Sequence, residues 1–323
     1  MIEDLVIHIG NHKTASTSMQ KCLHEKSYEM NKEFYYPESL GGMVPYNHNY
    51  YVRSLFTSKG KDIFPILIEK IKPHKNVVIS SAAYSYFSAL LLKKHIDEVY
   101  KPLAKNIRII WYVRPQIDWL TAAYLERIRI GTFKGSIEEY LEILNLGWFR
   151  NGYHYKKAFG ESIHFRVMVP EALVQEDPVS DLLHFIADGE DYRLLKKHRD
   201  NVMIPVQHLA IIKRYQETNY RGEEEGKADG YALTYLLRDR MPIENPIKYV
   251  MAKDLALELS EKYFEKDSER FDKVFMGSQP FLEKALRKSI DGCPDKAPSL
   301  EVYDQQKADE FFASLPANWQ SVK

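Results

Sequence analysis

Residues 5–20, L-V-I-H-I-G-N-H-K-T-A-S-T-S-M-Q, constrain the fold more than any other part of the chain. A short apolar run ends at Gly10. A polar turn follows with one lysine, Lys13, and then the hydroxyls of Thr14, Ser16, Thr17 and Ser18. Met19, Cys22 and Leu23 fall on one side of a helical period. A buried strand that stops at a glycine and feeds a helix opening on hydroxyls makes an anion cradle. The helix N-terminus carries unpaired N–H groups and a partial positive charge, and the lysine adds a full one. The anion expected there is a phosphate.

The chain has 323 residues, within range for a single α/β domain with insertions. Its 22 tyrosines, 15 phenylalanines and 4 tryptophans supply a sizeable core. Lysine plus arginine equal aspartate plus glutamate at 45 each. That balance argues against a general nucleic-acid binder, so an anion site here must be local. Two cysteines, Cys22 and Cys293, make neither a disulfide framework nor a zinc site and fit a reducing compartment. The N-terminal M-I-E-D-L-V-I-H-I-G lacks the basic and apolar regions of a signal peptide, and no run approaches ~18 apolar residues. The expectation is a cytoplasmic protein without a membrane span.

Hydrophobic periodicity and breaker residues predict strands at residues 6–9, 76–80, 107–113 and 163–169. Helices are predicted at residues 14–26, 62–71 and 115–130. A further helix after residue 86 is read from Phe87, Leu90, Leu91 and Val99. More follow at 136–144, 148–159, 181–187, 206–218, 246–264 and 281–288. Residues 28–50, with two prolines and a Gly-Gly pair, read as a long loop of the kind that is often functional. Residues 189–205 read as charged and irregular, and R-G-E-E-E-G-K-A-D-G at 221–230 as a solvated mobile loop.

Strands alternating with helices imply an α/β fold: helices on both sides of a central, mostly parallel sheet, with a helical C-terminal half. Residues 1–275 are expected to form that domain. Residues 276–323 are expected to add a helix and an extended tail packed on it. Ligands in such folds lie at the carboxyl ends of the strands, here the turns at 10–17, 80–84 and 114–118.

The first turn has no second glycine before Lys13, unlike the phosphate loop of ATP- and GTP-binding proteins. Its spacing resembles the 5′-phosphosulfate loop of sulfotransferases that use 3′-phosphoadenosine 5′-phosphosulfate. Bacterial members often read like H-I-G-x-x-K-T-G-T-T-x-x-Q. His8, Ile9, Gly10, Lys13, Thr14, Thr17 and Gln20 match; Ala15 replaces the usual glycine and Ser16 a threonine. The stretch W-Y-V-R-P-Q-I-D-W-L-T-A-A-Y resembles the family's second signature, with Arg114, Gln116, Asp118, Trp119, Leu120 and Tyr124 in place. F-G-E-S-I-H-F-R-V-M-V-P-E is a third, looser match, and the resemblance spans residues 4–275.

The resemblance implies a three-layer fold like that of P-loop NTPases, the phosphosulfate donor as cofactor, and no metal. Gly10, Asn11, His12, Lys13, Thr14, Ala15, Ser16, Thr17 and Ser18 would hold the 5′-phosphate, with Lys13 also catalytic. Arg114 and the position of Ala122 would hold the 3′-phosphate. The family's serine is an alanine there, and Thr121, Arg127 and Arg129 are the nearby substitutes. A residue one step round a helix points about 100° away. Related sequences often carry a glutamate after the second strand, where this chain has Ala82.

Sulfuryl transfer resembles phosphoryl transfer, so positioning and charge neutralisation dominate. The acceptor hydroxyl needs a base, which related enzymes keep as a histidine or glutamate about 25 to 35 residues after the lysine. His48 is the first candidate, because histidine titrates near neutral pH, and Glu38 the second. His8 reads as a packed strand residue. Tyr35, Tyr36, Tyr50 and Tyr51 fit an acceptor cleft or the core equally well. The expected acceptor is a hydroxyl of a carbohydrate, glycolipid or small metabolite. Two other functions stay open: a P-loop kinase or nucleotide hydrolase, and a non-catalytic nucleotide-binding relative.

Overall fold

The computed structural model describes residues 1–39, 46–54, 60–142, 144, 147–197, 203–316 and 319. Gly41 and Gly42 of the long loop lie outside them. The chain divides into two compact units. The first comprises Met1–Pro115, Gly147–Asn201 and Tyr263–Leu286; the second comprises Gln116–Leu146, Val202–Lys262 and Arg287–Lys323. Both differ from the expected division at residue 275, because the chain leaves the first unit after its third sheet strand and returns twice.

Among the described residues, six strands lie in the first unit: β1 (Ile2–Gly10), β2 (Tyr28–Met30), β3 (Asn76–Ser81), β4 (Ala104–Val113), β5 (Ile163–Val167) and β6 (Tyr192–Leu194). Four form a parallel sheet in the order β3-β1-β4-β5. The near-continuous apolar runs of β1, β3 and β4 are what a parallel sheet covered on both faces requires. Alternation along the strands sorts the faces. Val6, Val78, Ile110 and Tyr112 pack with Met19, Cys22 and Leu23 of helix Ser16–His24 and with Leu182, Leu183 and Ile186 of helix Pro178–Ala187. On the other face Trp111 stacks on Tyr155 of helix Trp148–Phe159, and Phe165 meets Phe271 and Phe275 of helix Glu265–Phe275. Three layers result, an α/β fold with a central parallel sheet, as the sequence implied.

β2 and β6 pair antiparallel as a separate two-stranded sheet. Both fall in stretches read as irregular, since three residues are too few for a periodic signal. The long loop also joins the sheet edge. Tyr35 bridges Val77 in parallel, donating from its N–H to the Asn76 carbonyl at 2.9 Å and accepting from the Val78 N–H at 3.0 Å. The expected apolar face after residue 86 is shifted. Ser88 caps the helix Ala89–His95, and Ala89, Leu92, Ile96 and Tyr100 are buried while Leu90 is 79% exposed. Three consecutive leucines leave the phase of such a short helix undetermined, and the cap sets it.

The second unit is helical. Helix Gln116–Arg129 starts behind Pro115 and is followed by Gly131 at φ +73°. Ser136 and Glu139 cap the next helix reciprocally, each side chain accepting from the other's backbone N–H. The stretch read as a mobile loop is instead the start of an 18-residue helix, Glu223–Arg240, with three glutamates in its first turn. Gly226 and Gly230 are buried there. A Cβ on Gly226 would meet the Ile130 carbonyl oxygen at 2.5 Å, and one on Gly230 the Arg129 carbonyl oxygen at 2.2 Å. These glycines permit close approach between helices and do not mark a loop. The expected helix at 246–264 begins only at Lys253. A helix missing from the sequence reading, Gln305–Ala313, is capped by Asp304 and buries Ala308 and Phe311 against Ile211, Ile212, Leu233 and Leu237.

Gly230→Ala tests this close approach. A free helix position would gain stability of up to about 1 kcal/mol from alanine. Here the overlap with backbone should destabilise by about 1–3 kcal/mol, read as a lower urea midpoint.

Candidate functional site

The loop between β1 and helix Ser16–His24 has an unusual backbone. Lys13 and Ala15 both take left-handed conformations, at φ +67° and +55°. Ala15 is the N-cap and, having no polar side chain, makes no capping hydrogen bond to the opening N–H groups. Alternating left-handed residues turn successive N–H groups toward one concavity, the arrangement that binds anions. Thr14 Oγ1 donates to the Asn11 carbonyl at 2.6 Å and closes the turn. Ser16 Oγ lies 3.4 Å from Thr14 Oγ1. A Cβ on Gly10 would sit 2.1 Å from Ser16 Oγ, so the glycine makes room for that hydroxyl. The Asn11 Nδ2 is buried without a hydrogen-bond partner. A buried unsatisfied donor in a ring of hydroxyls and helix N–H groups fits an anion.

Lys13 and His12 are half-buried in this loop, as are Ala15 and Thr17, while Ser18 is buried. An alanine at position 15 therefore has a conformational cost besides its size. An L-residue in the left-handed region costs roughly 1–2 kcal/mol, which glycine avoids.

The ends of β1, β3 and β4 bring further groups level with this loop. Ile9 pairs with Ser81 and Gly10 with Tyr112, so Arg114 emerges two residues past the register of Gly10. Arg114 Nη1 donates to the Lys13 carbonyl at 3.2 Å, and Trp148 Nε1 donates to the Arg114 carbonyl at 2.9 Å. A guanidinium is thus tied to the left-handed lysine's own carbonyl. Thr121 and Ala122 belong to the second unit, both half-buried on helix Gln116–Arg129.

Beneath the loop lies a buried polar cluster around Ser80. His8 Nδ1 is 2.8 Å from Ser80 Oγ. Gln20 Nε2 donates to Ser80 Oγ at 3.0 Å and to the Ser80 carbonyl at 3.3 Å. The Ser80 N–H donates to His48 Nδ1 at 3.0 Å, and the His48 N–H donates back to the Ser80 carbonyl at 3.2 Å. Burial drives His8 down to about 3. Burial also drives His48 to about 4, against the opposing pull of the Pro37 carbonyl and with help from His24.

His48, the first candidate for the base, is fully buried. Its Nδ1 lone pair receives the Ser80 N–H, and its Nε2 stands 2.7 Å from the Pro37 carbonyl, which can only accept. The ring is therefore the neutral Nε2–H tautomer with no lone pair left for a substrate proton. That geometry does not match the base expected from its titration range. Glu38, the second candidate, is exposed, and its carbonyl accepts from the Tyr51 hydroxyl at 3.0 Å. Ser80 and Trp148 were not singled out in the sequence. Ser80 gave a signal only as one of two serines ending an apolar strand, and Trp148 gave none.

No protein-family model matches the chain. No curated protein matches it. Among solved structures it is similar to a sulfotransferase from Alicyclobacillus acidocaldarius, at 14% identity and a TM-score of 0.44, over 85% of this chain and 97% of that one. No described helix is long and apolar enough to cross a membrane.

Two outcomes test this geometry. A β-branched residue cannot take the Ala15 conformation without strain. Ala15→Val should therefore lower the urea midpoint, while Ala15→Gly stays within about 1 kcal/mol of the parent, since relief of strain and added chain entropy offset each other. The second outcome concerns pH. The folded histidines resist protonation, so the unfolded chain binds more protons below its own histidine value of about 6.5. The stability they contribute is complete above that value. As pH falls toward about 4, the folded value of His48, it is lost at about 1.4 kcal/mol per pH unit for each such histidine. His48→Gln should reduce the pH slope of the unfolding free energy by that amount between pH 6 and 4.5.

Proposed function

We propose that the chain is a sulfotransferase, moving a sulfuryl group from 3′-phosphoadenosine 5′-phosphosulfate to a hydroxyl of a carbohydrate, glycolipid or small metabolite. The observation that carries this reading is the loop itself. It has two left-handed residues around Thr14, an orphaned Asn11 amide, the hydroxyls of Thr14 and Ser16, and Lys13 at the head of an uncapped helix. These residues fit an anionic 5′-phosphate, and the sequence resemblance supplies the sulfuryl group attached to it. The donor supplies an activated sulfuryl group, so an O–S bond to the acceptor forms as the S–O bond to the 5′-phosphate breaks.

The chain's own residues then have distinct tasks. Thr14, Ser16, Asn11 and the N–H groups of the helix start bind the 5′-phosphate and fix its orientation. Lys13 neutralises the charge that accumulates on the leaving oxygen. Arg114 is the cation for the 3′-phosphate. Glu38 accepts the acceptor's hydroxyl proton, since His48 has no free lone pair.

Placement supports the assignment to Glu38. Tyr35 bridges Val77 at the edge of β3, and the His48 ring then links the Pro37 carbonyl to the Ser80 N–H, so Glu38 follows on at the carboxyl end of that strand. β1 lies on the other side of β3, with His8 level with Ser80.

Binding decides between this function and a kinase or nucleotide hydrolase. 3′-Phosphoadenosine 5′-phosphate at a hundredfold excess over its Kd should stabilise the protein by about 2.7 kcal/mol, seen as a raised unfolding midpoint. Stabilisation by ATP with Mg²⁺ and not by this nucleotide would reverse the assignment. Lys13→Ala should keep the fold and lose about 100-fold or more in turnover, measured as release of 3′-phosphoadenosine 5′-phosphate with a mixed acceptor pool. A folded, fully active variant would remove Lys13 from the mechanism.

A further inference from the structure

The N–H and both ring nitrogens of the buried His48 are hydrogen-bonded within the protein, which leaves no lone pair for the task of a catalytic base. Its N–H and Nδ1 both engage Ser80, one through the carbonyl and one through the amide. Its Nε2–H reaches across to the Pro37 carbonyl at 2.7 Å. The next carbonyl along, that of Glu38, is held by the Tyr51 hydroxyl, and Tyr51 lies three residues beyond His48. The Tyr36 ring packs 4.5 Å from the imidazole and its hydroxyl donates to the Tyr46 carbonyl at 2.8 Å. Two consecutive carbonyls, on either side of the Glu38 Cα, are thus fixed by side chains from residues 48 and 51. The Glu38 side chain stays exposed.

This arrangement is rigid for physical reasons. Pro37 has a fixed φ and no N–H of its own. Both of the ring's hydrogen-bonding positions are used, so rotation of the imidazole would strand the Ser80 amide or the Pro37 carbonyl in a buried place. The titratable groups that face the ring are Tyr36, Tyr51 and, at longer range, His24. None of these brings a negative charge that would favour the imidazolium at neutral pH.

We propose that His48 is a positioning residue: a neutral imidazole that clamps the Pro37 carbonyl to the end of β3 and so holds Glu38 at the carboxyl edge of the sheet. The role in turnover rests on the sulfotransferase reading above, whereas the clamp itself does not. The ring acts through its two hydrogen bonds and never exchanges a proton with substrate. A side chain that restores the link to Pro37 should therefore restore the function, even when it cannot titrate.

The test has a spectroscopic arm, an exchange arm and a kinetic arm, all on the full chain. In protein labelled with 15N-histidine, with His48→Gln identifying the resonance, His48 should show an acceptor-type Nδ1 and a protonated Nε2, unchanged from pH 8 to 5.5. A ring that titrates between pH 6 and 7 overturns the proposal. In hydrogen exchange, His48→Ala should speed the amide of Ser80, which the ring accepts, while those of β4 stay as in the parent, and His48→Gln should restore much of the protection. Unchanged exchange in the alanine variant also overturns it.

In turnover, His48→Gln should stay within about tenfold of the parent, whereas Glu38→Gln should lose about 100-fold or more, the range for removing a general base. A glutamine variant as inactive as Glu38→Gln, with parental exchange, would return the base to His48. A parent with no sulfuryl transfer would instead defeat the sulfotransferase reading. The spectroscopic and exchange arms would then decide the clamp by themselves.

Discussion

Ser80 is the junction on which the first unit's functional end depends. Its amide, carbonyl and hydroxyl are all engaged, by His48, Gln20 and His8. Those partners come from three different pieces of chain: β1, the helix that follows it, and the long loop. All four residues are buried. In that setting each lost partner leaves a stranded donor or acceptor, at a cost of about 1–3 kcal/mol. The cluster therefore does not relax by degrees. It joins the floor of the anion loop to the loop that carries Glu38, and a shift in one must strand a group in the other. Its neutrality follows from the same burial, since a charged imidazole in this place would lack both water and a counter-ion.

Above that floor, the anion loop stores strain. Lys13 and Ala15 sit in a region that L-residues avoid, and the backbone there is held by the Thr14 hydroxyl and by the Arg114 guanidinium on the Lys13 carbonyl. Strain of this kind persists only where the surroundings over-determine it. Gly10 shows the complementary solution: an absent Cβ gives Ser16 Oγ the space it occupies. One loop thus uses a glycine where a side chain would collide and tolerates an alanine where only the backbone is strained.

The parts of this arrangement that could be read in the sequence are those with a local cause. The apolar runs of β1, β3 and β4, the glycine that ends β1 and the hydroxyls behind it announce a parallel sheet and a strand-to-helix turn without further help. The failures have tertiary causes. β2 and β6 are three residues each and exist because they pair with one another. Gly226 and Gly230 look like flexibility in isolation, yet they are the contact face of a helix. His48 is the sharpest case. A histidine in a long loop after a catalytic-looking lysine suggests a base from its chemistry alone. Its actual role is fixed by the Ser80 amide and the Pro37 carbonyl, which no local pattern relates to it.

Arg114 carries the same lesson to the far side of the site. Read from the sequence, it is a cation for a distant phosphate, separate from the lysine. In the structure its guanidinium already donates to the Lys13 carbonyl, and its own carbonyl is taken by Trp148. A positive charge held against the backbone of a left-handed lysine helps to keep that lysine's conformation, whatever else the remaining guanidinium N–H groups bind. The two cations are therefore linked through the backbone. Loss of the arginine would also reach Lys13 through the backbone of the loop, besides removing a charge from the end of β4. The loop behind β1 and the end of β4 are better understood as one bonded unit.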